Sequence, residues 1–452
     1  MRGWPGRRPD EEAPPASPDA PGPAARHGRL PRHPAWLTAL KGGAVVVGVV
    51  LVSSMSIAAW ATWDVARQIQ GNSVDLTAND SGDATPLPAV DELEGGFNVL
   101  FVGADNEEGQ DQAAFGQRDA TLNDFNLLLH VSADHTNATA VSIPRDLIVA
   151  HPECTDPVTG ETSAARSAAP MNTAMARGGL ACVADTVESL TGLDVPYAAV
   201  LTFAGVRGIS DAIGGVDVCL ADPVRDPDSG LDLEAGVQTL SGDDALKFLR
   251  TRYGVGDGSD LARISGQQAY LSSLLRKVKS DGTLTSIPTL YSLANVAAKT
   301  ITLSSSLTDV DQMIAMARVF RDMDLAAVTF VQYPGTTEDP SYPGKVVPIT
   351  SQADVLMAKL AADEPVVLAG DSTGLGTTLD PAATTPPATP GDPAAPAPSA
   401  DPSTGPSADP TLPGTPAESG APAPTDPDAE PLEGLSGQSA AQQTCSVGYG
   451  RG

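Results

Sequence analysis

The sequence predicts an α/β layered domain with extra segments at both ends. Along residues 97–370, short apolar runs bounded by turn residues alternate with stretches whose apolar residues recur at helical spacing. The first three apolar runs each keep a charged group beside one end, so charge collects where strands stop. Composition sets the limits of the domain. Gly (44) and Pro (40) are high and aromatics make up only 4 %, so a good part of the 452 residues is not expected to pack into a core.

Residues 1–41 are rich in Pro, Arg and Ala and read as a disordered basic tail. Residues 42–63, GGAVVVGVVLVSSMSIAAWATW, run 22 residues without a charge. About 20 such residues span a bilayer, so this is the expected transmembrane helix. Trp36, Trp60 and Trp63 stand where interfacial aromatics belong. A cleaved signal would have a shorter apolar run nearer the start and a small-residue cleavage site. Residues 64–94 hold only Arg67 against seven acids. The positive-inside rule therefore places the N-terminus in the cytoplasm and the rest outside a cell membrane. Residues 64–96 form a polar extracellular spacer.

Strands are expected at 97–102 (FNVLFV), 125–131 (FNLLLHV) and 138–143 (ATAVSI), the last stopped by Pro144. A loop with Cys154 follows. Then come a helix over 180–190 stopped by Gly192, a strand at 198–203, a helix at 206–213 and a strand at 216–220. A helix capped by Ser241 runs into a loop set by Gly254, Gly256 and Gly258, and a second long helix starts at Ser259 or Asp260. Helices at 288–298, 310–320 and 352–361 and a strand at 326–333 complete the domain. From 371 to 452 the composition falls to Pro, Ala, Thr, Ser, Gly and Asp, which reads as a solvated, extended tail.

With 56 acids against 27 bases the net charge is −29, which argues against nucleic acid as a partner. The four cysteines show no metal-ligand spacing. Outside the membrane they would tend to pair. Cys154 with Cys182 is the expected pair. Cys219 has no obvious partner within the domain, and Cys445 could reach it only if the long tail folded back.

The chemistry is concentrated in residues 247–268, KFLRTRYGVGDGSDLARISGQQ. Two helix ends meeting across a glycine loop can aim the guanidinium forks of Arg250, Arg252 and Arg263 at one point. Such forks bind phosphate bidentately and keep their charge. Asp260, Arg263 and Gln267 share a helix face, and Gln268 follows. Asp105 and Asp124 flank strand ends. Two carboxylates beside a phosphate site suit a hard divalent cation, Mg²⁺ or Mn²⁺.

These residues resemble the signature of the LytR-CpsA-Psr family of envelope phosphotransferases. The stretch R-T-R-Y-G-x-G-D-G-S-D-L-x-R-I-x-x-Q-Q matches its main motif. N-V-L-F-V-G-A-D, the intact S-I-P-R-D at 142–146, M-N-T-A-M-A-R-G-G with Asn172, and residues 213–236 follow the family in order over roughly 97–280. Three family cations are replaced, by Leu122, Pro170 and Gly266. The resemblance implies a three-layer α/β/α fold with a central mixed sheet. It implies Mg²⁺-dependent transfer of a glycopolymer from a polyprenyl pyrophosphate carrier to a peptidoglycan sugar hydroxyl, with the polymer unspecified. Arg145, Asp146, Arg252, Arg263 and Asp260 would be catalytic, with Asp257 an alternative to Asp260 as general base. Arg118, Arg250, Asn172, Gln267 and Gln268 would bind substrate, and Asp105 and Asp124 metal. Hydrolysis of the lipid-linked donor and a non-catalytic envelope role are the alternatives. A polyprenyl chain would need a tunnel, with Val183, Val187, Leu271 and Leu275 as candidate lining.

Overall fold

The computed structural model describes residues 95–104, 121–156, 159–280, 286–369, 373–381 and 431–450, with short pieces around 53, 67–68, 71 and 73–76. No helix among the described residues is long and apolar enough to cross a membrane. The 42–63 segment lies outside them except for Ser53.

A large mixed sheet organises the domain. Its strand order is Ser73–Val74, Ile301–Ser304, Tyr197–Leu201, Phe97–Ala104, Asn123–Val131, Ala138–Ser142, Val328–Gln332 and Gly437–Ser439. The central strand, Phe97–Ala104, pairs antiparallel with Asn123–Val131 and parallel with Tyr197–Leu201. Its side chains alternate between two cores, as a strand buried on both faces requires. Leu100 and Val102 pack with Val183, Val187, Leu356 and Leu360. Phe97 and Val99 pack on the other face with Leu271, Leu275, Val319 and Phe320. Helices therefore cover both faces. Burying each such side chain contributes about 1.5–3 kcal/mol.

The expected elements are present, with shifted ends. The helix expected at 180–190 is Met175–Thr191, interrupted at Gly178 and Gly179. Gly179 takes φ 64°, a left-handed conformation that glycine adopts without penalty. Ser241 occupies the N-cap position of the Gly242–Arg250 helix, but its side chain makes no capping bond; its carbonyl accepts from the Asp244 N–H instead. The long helix is Asp260–Ser280, and the Ser259 hydroxyl accepts from the Ala262 N–H at 3.1 Å.

The expectation of a wholly extended tail over 371–452 needs correction. Thr377–Leu379 and Thr444–Ser446 are strands of a second sheet, with order Gly236–Leu240, Val216–Leu220, Thr444–Ser446, Thr377–Leu379. Gly437–Ser439 is an edge strand of the large sheet. The tail does fold back, and Cys219 is bonded to Cys445. Their strands run parallel with these two cysteines in register. Cys154 is bonded to Cys182, as expected.

Candidate active site

The two sequence-distant halves of the site meet at one end of the large sheet. Asp124 comes from the start of the Asn123–Val131 strand. Arg145 follows the neighbouring Ala138–Ser142 strand. Arg250 is the last residue of its helix, Arg252 lies in the loop beyond, and Arg263 is on the first turn of the next helix. All four arginines, with Asp124 and Gln267, line one cleft of about 200 Å³. Its remaining wall is apolar and includes Phe125, Leu201, Phe203, Val206, Leu246, Leu249 and Leu271. Gly103 at the cleft floor has no room for a side chain: a Cβ there would lie 2.9 Å from the Phe125 Cβ.

Carboxylates hold the arginines in place. Arg145 donates from NH1 to Asp124 Oδ1 at 2.9 Å. Its Nε lies 3.4 Å from Asp260 and 3.6 Å from Asp146. Arg263 NH2 is 2.6 Å from Asp260 Oδ1 and donates to the Asp124 carbonyl at 3.3 Å. Burial lowers the Arg145 pKa, but Asp124, Asp260 and Asp146 outweigh it and leave it above the ordinary arginine value. For Arg263, burial dominates, the charge of Arg145 adds to it, and the pKa falls despite Asp260. Both guanidiniums stay charged. Arg252 Nε donates to the Gly258 carbonyl at 3.1 Å, and Arg250 lies over the Phe203 ring at 4.5 Å.

Other expected site residues stand elsewhere. Asp146 and Asp260 sit behind the arginines rather than on the cleft wall. Asp146 is held by Lys345, 2.5 Å away, a residue no motif singled out. Asp257 is exposed and accepts from the Ser259 N–H. Asn172 supports the site through its backbone, its N–H donating to the Arg145 carbonyl at 2.9 Å. Gln268 is buried and donates to the Ser142 hydroxyl. Gln267 remains on the cleft wall and donates to the Leu249 carbonyl at 2.8 Å. Asp105 and Arg118 lie outside the described residues. Asn123, which in the sequence stood only as the neighbour of Asp124 before the second strand, is a further support of the site. It is fully buried, donates to Asn126 Oδ1 and the Met171 carbonyl, and accepts from the Met175 N–H.

The tunnel expectation divides. Leu271 lines the cleft. Leu275 packs into the core on that face of the sheet. Val183 and Val187 are fully buried in the core on the opposite face and take no part.

The fold and site define a mixed α/β domain with an amphiphilic cleft, arginines on one wall and hydrocarbon on the other. The LytR_cpsA_psr family model matches residues 65–360, and the chain belongs to that family. It is 31 % identical over 270 residues to the cell wall biosynthesis protein LcpA of Corynebacterium glutamicum, covering 54 % of this chain and 51 % of that protein. It is 23 % identical over 304 residues to the polyisoprenyl-teichoic acid–peptidoglycan teichoic acid transferase TagT of Bacillus subtilis, covering 66 % and 86 %. The solved LytR-Csp2A-Psr enzyme from Actinomyces oris superposes with a TM-score of 0.46 at 24 % identity, over 64 % of this chain and 94 % of that one. The chain spans about half the length of the LcpA and LcpB relatives it matches.

Proposed function

We propose that this protein is a membrane-anchored transferase that moves a glycopolymer, as a sugar phosphate, from a polyprenyl pyrophosphate carrier onto peptidoglycan. One observation carries the reading. Arg145 lies more than a hundred residues before Arg250, Arg252 and Arg263 in the chain, yet all four line a cleft whose other wall is apolar. A lipid pyrophosphate is the ligand chemistry that needs both. The relatives' names, which speak of cell wall biosynthesis and of transfer from a polyisoprenyl carrier to peptidoglycan, support the same reading.

In the proposed step the oxygen of a peptidoglycan hydroxyl attacks the phosphorus that bears the glycan. The bond from that phosphorus to the polyprenyl phosphate breaks, and polyprenyl phosphate leaves, with the hydroxyl's proton balanced by the oxygen that this cleavage frees. Transfer of this kind rests mainly on positioning and on charge stabilisation. Arg250 and Arg252 would bind the non-bridging oxygens. Arg145 and Arg263, held by Asp124, Asp146 and Asp260, would present charge that needs no reorganisation. The Asp124 carboxylate, on the cleft wall, is an oxygen donor of the kind a hard cation takes. Asp124 with Asp105 would hold Mg²⁺ or Mn²⁺, which when bound adds positive charge against the pyrophosphate. The 42–63 span would anchor the chain with its N-terminus in the cytoplasm and this domain outside.

Full-length protein supplied with a labelled lipid-linked donor should place label on peptidoglycan only when the acceptor is present. Release of water-soluble label at equal rate with and without acceptor would make the protein a hydrolase instead. No consumption of donor under either condition would leave it a binding protein.

A further inference from the structure

We propose that Tyr253 and Tyr449 form a shelf at the edge of the cleft that takes the sugar ring attached to the donor pyrophosphate. The proposal rests on the transferase reading above and adds a subsite to it.

Both tyrosines are largely exposed, at 52 % and 63 %. Both flank Gly258. A Cβ built there would lie 2.9 Å from Tyr449 Cε2 and 3.6 Å from Tyr253 Cδ1, so both rings come close to the same point. Arg252 connects this shelf to the cleft. It lines the cleft, donates to the Gly258 carbonyl, and has its guanidinium 5.8 Å from the Tyr253 ring centre.

Tyr449 arrives from the far end of the chain. Gly256 N–H donates to the Val447 carbonyl, Tyr449 N–H to the Gly254 carbonyl and Gly450 N–H to the Gly256 carbonyl, each at 3.0 Å. Val255 and Gly448 form an antiparallel bridge, and the Cys219–Cys445 bond fixes the segment just upstream. The backbone thus holds the Tyr449 ring beside the arginine loop, and its side chain is left facing solvent.

Exposed aromatic faces pack against the C–H face of a pyranose while their hydroxyls bond to its oxygens. In a lipid pyrophosphate donor the first sugar is bonded directly to phosphate. A phosphate held by Arg252 therefore sets that ring beside Tyr253.

The test is titration of the full-length chain in detergent with three probes. These are a short-chain polyprenyl pyrophosphate, the same compound carrying N-acetylglucosamine, and free chitotetraose. Wild type should bind the sugar-bearing lipid more tightly than the bare one. Tyr449→Ala and Tyr253→Ala should each shrink that sugar increment by roughly two- to tenfold, with bare-lipid affinity unchanged and chitotetraose binding weakened in parallel. Tyr449→Phe should keep most of the increment, because it keeps the ring. An increment and a chitotetraose affinity equal to wild type in both alanine variants would overturn the shelf. Bare-lipid affinity that Arg145→Ala does not change would overturn the transferase reading, and the chitotetraose arm would still report on the shelf.

Discussion

The Arg276 guanidinium donates from NH1 to the carbonyl oxygen of Ala440 at 2.8 Å, across 164 residues of sequence. The same nitrogen donates to the Gln442 carbonyl at 2.9 Å. Arg276 lies on the helix that carries Arg263 but outside the arginine motif. From sequence it passes for a neutral surface position. In the fold it fastens the segment that returns to pair with Val328–Gln332 and Val216–Leu220. Hydrogen bonds from a charged donor to partly buried carbonyls contribute about 1.5–3 kcal/mol. Arg276→Ala should therefore lower the unfolding free energy by about that amount and speed amide exchange across 437–446. Exchange in that segment equal to wild type would show that it is held by other contacts.

The two disulfides should differ in their effect. The bond between Cys219 and Cys445 spans 226 residues, and that between Cys154 and Cys182 spans 28. Constraint of the unfolded chain grows with the logarithm of loop length, giving about 5 kcal/mol for the longer loop and about 3.5 for the shorter. Paired Cys219→Ser/Cys445→Ser should thus lower the denaturation midpoint more than Cys154→Ser/Cys182→Ser. The reverse order in urea titrations would count against the longer bond as the main covalent constraint.

Arg250, Arg252 and Arg263 were legible as a cluster because they share a motif whose glycine loop and helix starts leave few other geometries, whereas Arg145 was tied to them only through the family resemblance. The strands were legible as apolar runs stopped by turn residues. Helical spacing placed Val183, Val187, Leu271 and Leu275 on buried faces correctly. It could not say which face of the sheet each helix would cover, and two of the four cover the wrong one for the cleft. The return of the C-terminus was hidden by composition. Gly437–Ser439 and Thr444–Ser446 are each three residues long and follow a long Pro/Ala/Thr stretch, so no period could be read in them. The parallel register of Cys219 with Cys445 is a long-range relation that neither local sequence contains. Lys345 stands 199 residues from Asp146 and was out of reach for the same reason.

Stability should depend on pH through His151. It is 1 % exposed, and among the described residues neither ring nitrogen makes a well-aligned hydrogen bond, although the backbone at Ala169 and Pro170 acts to raise its pKa. Burial, then the charges of Arg177 and Arg166, push its pKa down to about 4. The unfolded chain has an ordinary histidine near 6.5. Between these values the unfolded state takes up a proton that the folded state refuses, so stability is full above about 6.5 and is lost as pH falls toward 4. The loss should be on the order of 2–3 kcal/mol. Urea unfolding at pH 7, 5.5 and 4 should show this slope in the wild type and a shallower one in His151→Gln. Equal slopes would assign the acid sensitivity to other groups.

The cleft arginines should separate into two kinds. Arg145 is bound to Asp124 and lies near Asp146 and Asp260; removing it strips buried carboxylates of a partner, a change that commonly costs 3–5 kcal/mol of stability. Arg145→Ala should therefore lose both transfer and stability. Arg250 rests on the Phe203 ring at the cleft wall. Arg250→Ala should leave the unfolding free energy within about 1 kcal/mol of wild type. If its charge meets the pyrophosphate, transfer should still fall by roughly 30- to 1000-fold, the equivalent of about 2–4 kcal/mol in the transition state. Arg321 is the control. It is exposed and, among the described residues, paired with its neighbour Asp322, and Arg321→Ala should match wild type in a donor-to-peptidoglycan assay. Activity in Arg250→Ala equal to that of Arg321→Ala would remove Arg250 from the site. A loss of activity in Arg250→Ala no larger than its loss of folded protein would do the same, since the arginine would then act on the fold and not on the phosphate.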